Sequence, residues 1–121
     1  MEAHRIKLTS SAMAHGRVSL RPCDIDFFPK DSFGKPTRRE GTGKPLRLHI
    51  AGLDKPIDTD LPTDRDGRPR WFFRDRAWVR HFITAHNLSA GDNIVIKRLN
   101  KTEYQISPVF GQIHNLFPQS A

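Results

Sequence analysis

The sequence predicts a mainly β fold, a small sandwich or barrel, and two observations predict it. Apolar and polar residues alternate in short bursts along most of the chain, and Gly, Pro and Asp separate the bursts. Period-two alternation puts one face of a strand into a core and leaves the other in water. Several short strands of this kind, closely spaced between turn residues, build a sandwich or a barrel. The alternation gives way to a helical stripe once, late in the chain.

Taken in order, Ile6 and Leu8 bracket Lys7, and Val18 and Leu20 bracket Ser19, giving two strands. A short helical turn is expected over 22–28. Residues 34–45 (GKPTRREGTGKP) are basic and rich in Gly and Pro, and read as a loop rather than a domain linker. Leu46, Leu48 and Ile50 alternate with Arg47 and His49 as a third strand. IDTDL (57–61) reads as a fourth, leading to a hairpin with Asp66-Gly67 at its tip. Asp-Gly suits a two-residue hairpin turn because both central positions take positive φ.

In RDRAWVRHFITAHNL (74–88), Trp78, Val79, Phe82 and Ile83 fall at i, i+1, i+4 and i+5. That is one stripe of a helix of about three turns, with Asp75 as its N-cap and SAGD (89–92) as its stop. Strands at 93–99 and 102–107 follow, joined by a turn at Asn100-Lys101. The tail SPVFGQIHNLFPQSA is mixed, and reads either as a final strand with an end segment or as the start of a connection to a further domain. One domain is expected over residues 1–121, with its core at about 5–107 and a C-terminal segment at 108–121.

The net charge of +7 and the pI near 10.2 bear on partners rather than fold, and favour nucleic acid or an anionic surface. Cys23 is the lone cysteine, so an internal disulfide and a cysteine-based zinc site are excluded, which fits a reducing compartment. No apolar run approaches the roughly 18 residues that span a bilayer. The opening MEAHRIKLTSS lacks the apolar stretch of a signal peptide. A soluble intracellular protein is expected.

Catalytic patterns are missing. No acidic residue and no histidine is followed two positions later by Lys, so neither of two common nuclease motifs is present. There is no GxxxxGK[ST] loop and no HExxH pair. His81 and His86, five apart, do not share a helical face for a metal. No nucleophile has a partnered base. The chain reads as a binder that is not an enzyme and needs no cofactor or metal.

Several elements then follow a recognisable order. KLTSSAMAHGRVSLRP (7–22) runs from a strand ending in Leu-Thr through a Ser-containing loop to a second strand. DFFPKDSFG (26–34) leads to a third. RDGRPRWFF (65–73), the helix at 75–87 and LSAGDNIVI (88–96) supply a basic arm, a strand, an amphipathic helix and, after Gly-Asp, an apolar strand. In this order and spacing the chain, over about residues 5–107, resembles B3 DNA-binding domains; HGRVS (15–19) is similar to the matching loop of the auxin response factors. The resemblance implies a seven-stranded open pseudobarrel with two short helices. Two arms, after the first and fourth strands, would grip the major groove of double-stranded DNA. The compact first arm and the lack of a longer second arm lean toward the bacterial branch, the recognition or effector domains of restriction endonucleases of the EcoRII kind. A cytoplasmic bacterial protein, monomeric as an isolated domain, is the corresponding expectation.

The resemblance makes residues 10–21 the first arm. Ser11, His15 and Arg17 carry donors and acceptors suited to base edges or phosphates, and Gly16 allows close backbone approach. Met13 either packs on a thymine methyl or anchors the loop. Arg65, Asp66, Arg68, Pro69, Arg70 and Trp71 form the second arm. With Asp66-Gly67 as a two-residue tip, Arg65 lies opposite Arg68 and Thr63 opposite Arg70, on one face. Like charges placed opposite each other destabilise a hairpin, so a turn without a partner would disperse them. Arginine is suited to a bidentate grip on guanine O6 and N7 or on phosphate. Asp66 either shapes the turn or reads a cytosine amino group. Arg21, Lys35, Arg38, Arg39 and Lys44 lie beside the arms or in the 34–45 loop, as phosphate contacts. Trp71, Phe73, Trp78 and Phe82 read as core or arm support. Two other readings stay open: a stand-alone transcriptional regulator, and a basic β-barrel module for an acidic protein. An RNA-binding barrel would show aromatics spaced along exposed strand faces, which this chain lacks.

Overall fold

Five strands carry the core in one mixed sheet. The structure, a computed structural model, describes residues 2–109. The strands are β1 (Ala3–Lys7), β3 (Leu46–Ile50), β4 (Ile57–Thr59), β6 (Asn93–Arg98) and β7 (Glu103–Pro108), in the order β1-β6-β7-β3-β4. Neighbours run antiparallel except β3 and β7, which are parallel and pair Leu48 with Tyr104 and Ile50 with Ile106. A second, two-stranded parallel sheet joins β2 (Phe33–Gly34) to β5 (Leu61–Pro62). Two short α-helices, α1 (Ser10–Ala14) and α2 (Trp78–Ala85), complete a mainly β fold. Because β1 and β4 end the larger sheet at separate edges, its ladder is not closed into a barrel.

The alternation read from sequence turns into burial. Ile6, Leu46, Leu48, Ile50, Ile94, Ile96, Tyr104 and Ile106 form one core with Phe27, Phe28, Phe73, Trp78, Val79, Phe82 and Leu88. Phe27, Phe28 and Tyr104 meet with ring centroids 5.1–5.3 Å apart, and the Tyr104 hydroxyl donates to the Phe27 carbonyl. Burial pushes the Tyr104 phenol up to about 12. The expected turn over 22–28 is a 3₁₀ turn at Ile25–Phe27, and a second follows at Lys30–Ser32.

Three expectations are corrected. Val18 and Leu20 are buried, yet residues 17–20 form no strand; the Leu20 N–H donates instead to the Trp71 carbonyl at 2.8 Å. The strand at 57–61 is split into β4 and β5 by Asp60, whose side chain turns inward to an ion pair with Arg74. The helix starts later than expected, with Ala77 at its N-cap position. Asp75 gives its own N–H to Thr59 Oγ1 and takes the Ala77 N–H on its carboxylate, which fixes a turn ahead of the helix. The tail from residue 110 lies outside the described residues. Among the described residues, no helix is long and apolar enough to cross a membrane.

Candidate nucleic-acid interface

The first arm is a capped helix rather than a loop. Thr9 Oγ1 accepts the Ala12 N–H at 3.0 Å and closes the N-terminus of α1. At the other end the Gly16 N–H donates to Met13 O and the Arg17 N–H to Ala12 O, with Gly16 at φ 61. That pair of bonds around a left-handed residue is a Schellman termination, which favours glycine. Arg80 of α2 donates from Nη2 to Ala14 O at 3.1 Å and seats the arm on the helix. A Cβ on Gly16 would lie 3.4 Å from Arg80 Nε. Gly16→Ala should therefore cost about 1–2 kcal/mol of stability in urea unfolding, and a loss under a few tenths would show that the arm tolerates a relaxed termination. His15 Nδ1 lies 2.8 Å from Ser11 O. A carbonyl only accepts, so Nδ1 carries the proton, and Nε2 is the ring atom left for a ligand.

The second arm is a hairpin with a different register. Asp64, not Asp66, shapes the turn: its Oδ1 accepts the Asp66 N–H at 2.8 Å and the Arg68 N–H at 3.0 Å. These backbone N–H groups, the Arg68 one foremost, hold the Asp64 carboxyl below its ordinary value, and the charges of Arg68 and Arg70 add to them. Asp64 and Arg68 now face each other, Thr63 bridges Pro69, and Gly67 takes φ 81 at the end of a three-residue loop. The expected opposition of Arg65 to Arg68, and of Thr63 to Arg70, is therefore absent. Arg65 instead reaches Glu40 of the 34–45 loop at 2.8 Å.

The two arms meet. Ser11, His15, Arg17, Ser19 and Arg21 from the first and Arg70 and Trp71 from the second line one concavity of about 280 Å³, with Phe72 among its walls. The guanidinium carbons of Arg17, Arg70 and Arg76 lie 4.7, 5.0 and 5.5 Å from the Phe72 ring centre. Phe72 and Arg76 were missed from sequence, because in WFF one aromatic looks like another and Arg76 sits within the expected helix.

Other predicted residues fall outside this concavity. Met13 packs against the core, as an anchor. Gly16 is buried beside Arg80. Lys35 borders a second concavity of about 370 Å³ between the 34–45 loop and Gly67 of the hairpin. Arg38, Arg39, Asp66 and Arg68 are exposed, while Pro69 is half-buried in its bridge to Thr63. Lys44 lies 3.9 Å from Asp31, both of them exposed. Cys23 is buried, and burial with help from Asp24 pushes its thiol up to about 12. Among the described residues, no group of three or more His, Cys, Asp or Glu side chains is placed to hold a metal.

The arrangement defines a mainly β domain with a basic, two-armed concavity. In fold it is similar to the N-terminal domain of Helicobacter pylori LlaJI.R1, with a TM-score of 0.55 over 99% of this chain and 98% of that one, at 8% identity. No protein-family description and no curated protein sequence matches the chain.

Proposed function

We propose that the chain binds double-stranded DNA sequence-specifically through the major groove, as a B3-like recognition or effector domain of a restriction endonuclease without catalysis of its own. The observation that carries the reading is the shared concavity: residues 11–21 and 70–72, far apart in sequence, converge there with four arginines among or beside them. Arginine and histidine with a serine hydroxyl offer the donors that base edges and phosphates accept. The open five-plus-two strand arrangement is compatible with the seven strands of a B3 pseudobarrel. The fold neighbour is itself an N-terminal domain, which supports a place for this chain within a larger protein.

Selection of bound duplexes from a random pool tests the specificity: one enriched sequence is expected, and no enrichment would leave only a general affinity for anions. Titrating the enriched duplex across salt tests the electrostatics. Log affinity should fall with log salt at about 0.9 per phosphate neutralised. A slope near zero would replace DNA by an acidic protein partner.

A further inference from the structure

We propose that Arg17, Arg70 and Arg76, gathered round Phe72, form a discrete binding site for one phosphate group, which the DNA backbone supplies. The backbone as source rests on the DNA-binding reading above; the anion chemistry does not.

Three cations share one aromatic ring, at 4.7, 5.0 and 5.5 Å from its centre. The ring's quadrupole attracts each of them but cannot neutralise three. Elsewhere in the molecule Arg47, Arg65, Arg74 and Arg98 are paired with Asp58, Glu40, Asp60 and Glu2. Arg17, Arg70 and Arg76 have no such carboxylate partner among the described residues. Asp64, whose carboxyl feels the Arg70 charge, is already occupied by the N–H groups of Asp66 and Arg68. Arg17 Nε is buried and has no hydrogen-bond partner, a costly state that a bound acceptor would relieve.

The planar forks of guanidinium groups match phosphate oxygens. Arg17 and Arg70 line the same concavity as Phe72. Phe72, only 8% exposed, has all three guanidinium carbons within 5.5 Å of its ring centre. Arg76 approaches that ring from the stretch between the second arm and α2. Arg70 then serves the backbone, and base reading on the second arm passes to Arg68.

The test follows the Nε–Hε resonances of the arginines by NMR as inorganic phosphate is added, against chloride at matched ionic strength. The signals of Arg17, Arg70 and Arg76 should move on one saturating curve with phosphate alone, while Arg47 stays still. Arg76→Gln, at an exposed position, should weaken phosphate about tenfold, as loss of one charged hydrogen-bonding group does. It should weaken cognate and scrambled duplex alike. Shifts equal to those in chloride, or unchanged phosphate affinity in Arg76→Gln, overturn the proposal. Duplex should displace phosphate from these three arginines; displacement by a mononucleotide and not by duplex overturns the backbone as source. A duplex that binds without touching the three signals overturns the backbone as source and leaves DNA binding standing. Saturable phosphate binding without any duplex affinity keeps the anion site and defeats the DNA-binding reading.

Discussion

Arg74→Met should lower the unfolding free energy by about 3–5 kcal/mol, the cost of stranding one member of a buried ion pair. Asp60 and Arg74 have side chains only 5% and 10% exposed. Asp60 accepts from Arg74 Nε at 2.7 Å and Nη2 at 3.0 Å, and from the Gly43 N–H at 2.7 Å. Arg74 Nη2 also donates to Lys35 O at 2.8 Å. One pair thus ties the 34–45 loop to the break between β4 and β5 and to the chain leaving the hairpin. Urea unfolding measures the loss. The double variant Asp60→Leu/Arg74→Met should recover part of it, because no charge is left buried, but not all, because the Gly43 N–H stays unsatisfied. A loss under about 1 kcal/mol for Arg74→Met would place the pair with ordinary surface ion pairs.

Arg68→Ala should weaken the preferred duplex by about 1–3 kcal/mol relative to scrambled DNA and relax one base position, the effect of removing a bidentate arginine–guanine contact. Arg68 is exposed and makes no side-chain ion pair among the described residues. Its backbone is pinned on both sides, the N–H on Asp64 Oδ1 and the carbonyl accepting the Asp64 N–H at 2.8 Å. A free guanidinium on a fixed stem suits base reading. Lys44→Ala, in the loop, should weaken both duplexes about equally, as a phosphate contact does. Competition between cognate and scrambled duplex at fixed salt decides between them. Equal losses for both in Arg68→Ala would move sequence reading to Ser11 and His15 of the first arm.

Burial was legible in the sequence, and pairing was not. The alternations at Leu46–Ile50, 93–99 and 102–107 became strands. The same signal at Val18 and Leu20 reported two buried side chains on a segment without a ladder. Alternation records which residues face the core, and says nothing of where backbone N–H groups go. The other misses come from short polar side chains that take over backbone bonds. Asp64 moved the hairpin register, Asp75 delayed the helix, and Asp60 broke a strand by pairing inward. The clustering of Arg68 and Arg70 beside Trp71 was legible, because it is visible in one dimension. The meeting of residues 11–21 with this hairpin around Phe72 was not, since it joins residue 17 to residues 70 and 76.

Trp71 stands at φ 57, a left-handed conformation that costs a bulky residue about 1–3 kcal/mol. It is held there by packing against the core and by the bond from the Leu20 N–H to its carbonyl. The width between the arms is therefore set when the chain folds, and widening it means breaking that bond. Under the DNA-binding function proposed above, the adjustment falls to the duplex. Sequences whose grooves open or narrow easily to the fixed width would be favoured, even at base pairs that neither arm touches.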